Sequence, residues 1–366
     1  METRTQHGYL VLADISGFTA YLAGVELEHA HEILRELLEL IVEQVRPLLT
    51  VAQLEGDAVF AYAPEGRVAR GETLLELVEA AYGAFKDRLA SIRRRTTCTC
   101  KACQSVPSLD LKFMTHHGAY TLQKIASADE LIGLDVNLVR RRVLKNGVGE
   151  ATGWTGYAVF TAQSLERLGV HPPEMREWVE TVEPLGEIKK YALDLQSRYK
   201  ELKEARRVFL TPEEAHASVA YDFGAPPPVV WDWLNDPGKR TQWMWGRAWR
   251  ALTRPGGRTG VGARNHCAHG VGTLIETILD WQPFDSFTVE ETLPSGNLPI
   301  IVTYQLEPSP AGGGTRLHAH TQLRTSLPDW FIRPLFKLLV ALLLKWDFKR
   351  MARLMSQAAG RAPAVF

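Results

Sequence analysis

The sequence predicts an α+β protein in two parts. A β-α-β-β-α-β unit comes first, then a curved antiparallel sheet wrapped on one long terminal helix. Three observations predict it. Strand-like and helix-like apolar periods alternate through about the first 195 residues. Successive strand-like runs then follow one another at hairpin spacing, with Gly and Pro between them. The chain closes on a long helical period.

The first part begins with a buried strand, Tyr9 to Ala13. A helix is predicted from about Ala20 to Arg46, because Ile33, Leu34, Leu37, Leu38, Ile41 and Val45 recur at helical spacing and Pro47 ends the run. Val51–Leu54 and Ala58–Tyr62 read as two short strands around a tight Glu55-Gly56-Asp57 turn. A second helix spans about Glu72 to Arg93. Leu109, Leu111 and Phe113 alternate as a half-buried strand, with Tyr120–Ile125 as its partner. Helices are expected near Val136–Leu144 and Val159–Leu168, and a closing strand at Ile188–Leu195. This order is the ferredoxin-like plan.

Residues 196–212 are charged and read as a solvated linker or surface helix, which divides the chain into 1–195 and 213–366. The second part offers a strand at Ala217–Phe223 and a helix at Val229–Leu234. Strands follow at His266–His269, Val271–Trp281, Ser286–Leu293, Ile300–Leu306 and Thr315–Leu323, and a helix from about Asp329 to Gln357.

A length of 366 residues suits two domains. Lys+Arg and Asp+Glu both number 42, so no net charge draws the chain to nucleic acid. The polar Met1–Gly8 stretch lacks an apolar signal core, and four cysteines make no disulfide framework; both predict a cytoplasmic chain. Leu335–Trp346 is apolar apart from two lysines but falls short of the roughly 20 residues that span a bilayer. A buried helix is expected there, and membrane contact is not.

Two aspartates stand in informative frames. Asp14 ends the first apolar run before Ile15-Ser16-Gly17-Phe18-Thr19, and Asp57 sits in Glu55-Gly56-Asp57-Ala58-Val59-Phe60. A carboxylate at a strand end beside a Gly turn can hold a hard cation and a phosphate together. Singly, Asp14 can cap the next helix and Asp57 can make a turn. Together they point to a two-metal centre acting on a nucleotide.

Further along stand His116-His117-Gly118 and Val136-Asn137-Leu138-Val139-Arg140-Arg141. With the two aspartate frames, and in this order, they resemble the catalytic domain of class III adenylyl and guanylyl cyclases over about residues 8–195. The Cys-rich insert and Val143-Leu144-Lys145-Asn146 look closer to a divergent bacterial branch.

The resemblance implies specific roles. Asp14 and Asp57, with the Ile15 carbonyl, would bind two Mg²⁺ or Mn²⁺ ions. Backbone N–H groups of Ser16, Gly17, Phe18 and Thr19 would face the phosphates of a nucleoside triphosphate. Asn137 would orient the ribose, and Arg141 would neutralise charge on the transferring phosphorus. The product would be a 3′,5′-cyclic nucleotide, formed between the two chains of a homodimer. Two base-reading positions depart from the family: Gln53 stands where purine readers have lysine, and Glu130 where they have aspartate or another specificity residue. Lys189 and Lys190 are the nearby candidates for a late phosphate-binding lysine.

The second part resembles the helix-grip superfamily of START domains and polyketide cyclases. The Pro-rich entry to Val229–Leu234, His269-Gly270-Val271-Gly272, Trp281-Gln282-Pro283-Phe284 and the terminal helix carry the likeness. It implies an apolar cavity for a hydrophobic small molecule. Trp243, Trp245 and Trp249 are its candidate lining, or ordinary core. His266, His269, His318 and His320 read as satisfied or surface histidines rather than a metal set.

Cys98, Cys100 and Cys103 could hold a structural zinc with His116, His117 or a partner chain as fourth ligand. They could equally form a redox pair, favoured as thiolates by Arg93, Arg94, Arg95 and Lys101, or a reduced surface loop. Three functions stay open: a nucleotidyl cyclase modulated by a ligand domain, an inactive nucleotide-binding or dimerisation module joined to such a domain, and a membrane-surface protein using the basic terminal helix.

Overall fold

The computed structural model describes residues 5–23, 25, 27–68, 70–95, 101–125, 128–140, 147–170, 174–183, 185–204, 208–244, 248–269, 272–292, 299–310, 314–324 and 329–361. The chain forms two compact units, Met1–Glu204 and Ala205–Phe366.

In the first unit β1 (Thr5–Ser16) leads through α1 (Phe18–Ala23) and α2 (Leu27–Val45) to the hairpin of β2 (Thr50–Glu55) and β3 (Ala58–Pro64). Then come α3 (Thr73–Arg95), α4 (Lys101–Ser105), β4 (Asp110–Ile125), β5 (Ala128–Ile132), α5 (Leu134–Arg140) and α6 (Val148–Thr152). The unit closes with β6 (Tyr157–Thr161), α7 (Ala162–Leu168), β7 (Arg176–Val182), β8 (Gly186–Asp194) and α8 (Leu195–Glu204). The sheet order is β2-β3-β1-β4-β6-β8-β7, with β5 paired to β4. Its first four strands pair antiparallel with one another in the ferredoxin-like order β2-β3-β1-β4, and β4 pairs parallel with β6.

Strand β1 is buried from Gly8 to Ile15 because the sheet is covered on both faces. On one face Leu10 and Leu12 join Phe60, Met114, Val136, Val139 and Tyr157. On the other lie the odd-numbered residues Tyr9, Val11 and Ala13.

The structure corrects several expectations. The helix expected over Ala20–Arg46 is two helices, α1 and α2. Leu109–Phe113 and Tyr120–Ile125 do not pair with each other; they are parts of one 16-residue strand, β4, aligned with β1 from Thr5↔Thr121 to Ser16↔Asp110. The helix expected at Val159 starts at Ala162. Its apolar beginning is the buried strand β6, and Thr161 Oγ1 caps the helix by accepting from Ser164 N–H. Of the two readings of the charged stretch after Leu195, linker or surface helix, its first part is a helix, α8, which packs on α3: Arg198 Nε lies 3.2 Å from Glu79 Oε1, and Tyr199 donates to Asp87 Oδ1 at 2.6 Å. Strands β5 and β7 were not foreseen; β7 alternates exposed and half-buried residues without a strong apolar run.

In the second unit β9 (Ala217–Phe223), α9 (Pro227–Asn235) and α10 (Pro237–Trp243) precede β10 (Ala248–Thr253), β11 (Arg264–His269), β12 (Gly272–Gln282) and β13 (Ser286–Thr292). Strands β14 (Pro299–Pro308) and β15 (Thr315–Leu323) lead to α11 (Asp329–Arg361). The seven strands run β10-β11-β12-β13-β14-β15-β9, every pair antiparallel. The core sits between this sheet, α9, α10 and the C-terminal half of α11. Trp231 packs edge-on against Trp281 and Phe287, with centroids 4.7 and 5.2 Å apart, and Phe348, Met351 and Met355 reach in from α11.

The N-terminal half of α11 contradicts the expected burial. Leu338, Leu339, Leu342, Leu343 and Trp346 are 61%, 55%, 62%, 45% and 51% exposed. Among the described residues no helix is long and apolar enough to cross a membrane.

Candidate functional site

The two aspartate frames meet at one end of the sheet. Asp14 lies in register with Ala58 on β3 and Lys112 on β4, so Asp57, the residue before Ala58, stands beside Ile15. Ile15 N–H donates to the Asp57 carbonyl at 3.1 Å. Asp14 is buried and Asp57 half-buried. Lys112 Nζ lies 5.1 Å from the centre of the Tyr157 ring. Burial, and then the Asp14 charge, push the Tyr157 hydroxyl up to about 12.

Gly17 turns the chain out of β1 at φ 81°, a left-handed conformation that glycine adopts without strain. A Cβ there would also lie 3.1 Å from the Ser108 carbonyl oxygen. The turn opens α1, where Tyr21 N–H returns to the Gly17 carbonyl at 2.9 Å. Ser16 Oγ donates to the Thr155 carbonyl, and the Phe18 side chain is buried against Tyr21. Only the Phe18 backbone can therefore serve a ligand, whereas Thr19 is exposed.

The donor set suits a hard cation. Among the described residues no three His, Cys, Asp or Glu side chains gather as a ligand set. Two carboxylates and a carbonyl would leave half of an octahedral shell to water and phosphate, an arrangement that Mg²⁺ accepts.

The second cluster is built on Arg140, at the end of α5. Its Nε reaches Glu55 Oε1 at 2.5 Å, Nη1 reaches Glu130 Oε1 at 3.1 Å and Nη2 reaches Gln53 Oε1 at 2.6 Å. The guanidinium also lies 5.8 Å from the Phe60 ring centre. Burial works against its charge, but the bonds to Glu130 and Glu55 outweigh that and raise its pKa. Gln53 and Glu130, expected to read a base, are thus brought together across β2 and β5 by an arginine of the same chain. Sequence reasoning missed Arg140 and Glu55. Both stood inside the quoted motifs, Arg140 three residues after Asn137 and Glu55 two before Asp57. Asn137 is exposed on α5, and Arg141 lies outside the described residues.

His116-His117-Gly118 is the middle of β4, not the end of a strand. Asp135 on α5 sits directly on it: its Oδ2 accepts from Ala119 N–H at 2.6 Å and its Oδ1 lies 3.4 Å from His116 Nε2. The His116 bond and the Ala119 N–H hold the Asp135 carboxyl below its ordinary range against the opposing effect of burial. A Cβ on Gly118 would stand 2.4 Å from Asp135 Oδ2, so glycine is what lets α5 approach. His117 faces the other way, edge-on to Tyr9 at 5.0 Å, at the wall of a pocket of about 690 Å³ that Arg70, Glu166 and Arg167 also line. Burial lowers the His117 pKa. Lys190 is buried and bonded to Glu180, and Lys189 pairs with Glu177 at 2.9 Å, so each candidate phosphate lysine has a carboxylate of its own.

Cys98 and Cys100 lie outside the described residues, as does the side chain of Cys103 in α4. Trp245 lies outside them too. Trp243 is core, donating its indole N–H to the Trp233 carbonyl at 2.8 Å. Trp249 packs with Cys267 and Leu274, and the Arg240 guanidinium stacks 4.0 Å from its ring centre. His318 and His320 share a face with rings 5.9 Å apart, and His320 Nδ1 is bonded to Ser218 Oγ at 2.9 Å.

Inside the second unit lies a buried polar row that the sequence did not reveal. Asn265, Glu276 and Glu291 are register partners on β11, β12 and β13. Glu276 Oε1 accepts from Arg240 Nη1 at 2.8 Å and from Asn265 Nδ2 at 2.7 Å. Glu276 Oε2, Glu291 Oε1, Arg240 Nε and Trp249 Nε1 are buried without a hydrogen-bond partner. Burial, and then the Glu276 charge, push the Glu291 carboxyl up to about 7. The available signal was a carboxylate at an inward position: Glu276 lies between Leu274 and Ile278 on one face of β12.

Comparisons with known proteins divide the chain in the same way. Residues 34–152 match the model of a family described only as a protein of unknown function (DUF2652). Residues 214–359 match the family described as polyketide cyclase / dehydrase and lipid transport. An uncharacterized protein of Mycobacterium tuberculosis (strain ATCC 25618 / H37Rv) is 34% identical over 113 residues, 31% of this chain and 51% of that protein. The chain therefore spans about half the length of that curated relative.

Among solved structures, the guanylyl cyclase Cya2 is similar at 14% identity and TM-score 0.41, covering 52% of this chain and 93% of its own. The adenylyl cyclase CyaB from P. aeruginosa is similar at 16% identity and TM-score 0.40, covering 52% and 95%. A Mesorhizobium loti protein is similar at 20% identity and TM-score 0.31, covering 38% and 96%. In fold, the chain joins a ferredoxin-like unit to a seven-stranded antiparallel sheet with a long terminal helix, and residues 214–359 of the latter match the polyketide cyclase / dehydrase and lipid transport family.

Proposed function

We propose that the first unit is a divergent class III nucleotidyl cyclase-like module that holds a divalent metal and a nucleoside triphosphate, and that the second takes up a hydrophobic small molecule. The observation that carries the first half is the Ile15–Asp57 backbone bond, which holds the turn carrying Asp57 against the end of β1, next to Asp14 and the Gly17 turn. When bound, Mg²⁺ or Mn²⁺ would supply charge neutralisation for the triphosphate and acidify the attacking 3′-hydroxyl. Asp14, Asp57 and the Ile15 carbonyl would hold the metal ions, and the backbone of Ser16 to Thr19 would face phosphate oxygens. Asn137 would orient the ribose, with Arg141 at the transferring phosphorus. A homodimer would complete the site. Exposed Leu54, Ile132 and Leu134, on the elements that carry Gln53, Glu130 and Asn137, supply apolar surface for such an interface.

One observation favours a second reading, nucleotide binding without turnover. Arg140 occupies both Gln53 and Glu130, so reading a base there requires that bridge to open or the arginine itself to contact the base. Incubation of the full chain with ATP, GTP, CTP and UTP plus Mn²⁺, read by mass spectrometry, separates the two. A 3′,5′-cyclic product lost in both Asp14→Ala and Asp57→Ala supports the enzyme. Mn²⁺-dependent thermal stabilisation by a triphosphate with no product supports the binding module. Activity persisting in both variants rejects the metal site.

For the second unit, the family match and the sheet wrapped on α11 support a hydrophobic ligand. The Asn265–Glu276–Glu291 row adds that the ligand would carry a polar group, since the buried atoms there lack partners.

A further inference from the structure

Helix α11 presents two different faces. Phe348, Met351 and Met355 point into the core, and Asp347 is buried on the same side. At 100° per residue the opposite face carries Leu338, Leu339, Leu342, Leu343 and Trp346, all among the large apolar side chains most exposed to solvent. Four exposed leucines and a tryptophan within about two and a half turns are not needed for packing, and each exposed side chain forgoes the gain of burial.

The same face changes character further along. Beyond Trp346 it continues with Lys349, Arg350 and Arg353, all exposed, and Lys345 flanks the apolar stripe. The Arg350 guanidinium lies 5.7 Å from the Trp346 ring centre, joining the two stretches. After Asp329, the only acidic residue in the helix is the buried Asp347. The exposed face is therefore apolar and basic, with no carboxylate of its own.

That charge pattern selects the occupant. A second copy docked face to face would bring two sets of lysine and arginine together without acidic partners, which is unfavourable. An anionic lipid surface satisfies both stretches at once: leucines and Trp346 enter the headgroup–acyl boundary while the basic side chains meet phosphates. The apolar stretch from Leu338 to Trp346 is about 12 Å long at 1.5 Å per residue, enough to lie in an interface and far too short to span a bilayer.

We infer that the exposed face of α11 from Leu338 to Arg353 is a docking surface for anionic membranes, on which the chain lies peripherally. The inference is independent of the nucleotide reading.

The test is flotation of the full chain with vesicles of phosphatidylcholine alone and of phosphatidylcholine with phosphatidylglycerol, at low and high salt. The expected result is retention on the anionic vesicles, at least tenfold weaker on the neutral ones and reduced by salt. Leu342→Asn with Trp346→Ser, and separately Lys349→Glu with Arg353→Glu, should each lower retention at least tenfold. All four side chains are exposed, so unchanged circular dichroism and melting are expected. No retention on either vesicle overturns the proposal, as does equal retention on both. If Leu342→Asn instead converts a dimer to a monomer while vesicles bind nothing, the face belongs to a second copy and the proposal is wrong.

Discussion

Ile15 N–H donates to the Asp57 carbonyl at 3.1 Å, and this one bond aligns the end of β1 with the turn that opens β3. It sets Asp57, in the β2–β3 turn, beside the strand end that carries Asp14, and it leaves Glu55, on the far side of the same turn, to meet Arg140. The aspartate pair and the Arg140 cluster thus lie on two sides of one hairpin.

Arg140 should be the residue that couples them. Replacing it by Gln leaves Glu55 and Glu130 without their shared cation. The expected cost is about 1–3 kcal/mol, because removing one member of a partly buried charge cluster leaves its partners uncompensated. It should also change the order of preference among triphosphates, since Gln53 and Glu130 are released. Denaturant titration checks the first effect and competition binding the second; unchanged stability and unchanged preference would show that the bridge has no consequence.

Gly118→Ala should move α5. Its Cβ would meet the Asp135 side chain at 2.4–2.6 Å, and overpacking of this kind costs about 1–3 kcal/mol. The loss should largely disappear when Gly118→Ala is made in an Asp135→Gly background, because Asp135 Cβ, Cγ and Oδ2, the three atoms that the new Cβ meets, are then all absent. Additive effects in the double-mutant cycle would place the strain elsewhere.

Glu291 should make the second unit less stable as pH rises. Its carboxyl is pushed up to about 7 in the folded chain, against an ordinary value of 4.5. A raised carboxyl binds its proton more tightly folded than unfolded. The stability it contributes is therefore complete below pH 4.5, declines from there to about 7 and is gone above, a loss of roughly 3 kcal/mol. His117 and His320, lowered by burial, act in the opposite sense as pH falls. The comparison is thus made against Glu291→Gln, which should lack this decline. Eight of the ten tryptophans lie in the second unit, so fluorescence-detected denaturation reads it. Parallel pH curves for the two proteins would show that Glu291 does not carry the effect.

Much of this architecture was legible from apolar periods. Val51–Leu54 and Ala58–Tyr62 are placed to within two residues because the tight Glu55-Gly56-Asp57 turn separates them, and Ala217–Phe223 because buried and exposed positions largely alternate along it. Strand β4 was split in the reading because His116 to Ala119 interrupts its apolar pattern, while the structure covers those residues with Asp135 and Tyr9. Of the candidate site, proximity of Asp14 to Asp57 was readable from two motifs. The Arg140 bridge was not, since it joins β2, β5 and α5 through tertiary contacts that no local spacing encodes. The exposed leucines of α11 were misread for the same reason: composition announces an apolar helix, but only the position of the sheet decides which half of it is covered.

The most direct test of the metal–triphosphate site is calorimetric titration of the full chain with nucleoside triphosphates, with and without Mn²⁺, beside Asp14→Asn and Asp57→Asn. The account predicts triphosphate binding that requires Mn²⁺ and falls at least about tenfold in each variant, since each removes one carboxylate charge from the cation's donor set. Binding without metal, binding undiminished in both variants, or no binding of any triphosphate with Mn²⁺ present would contradict it.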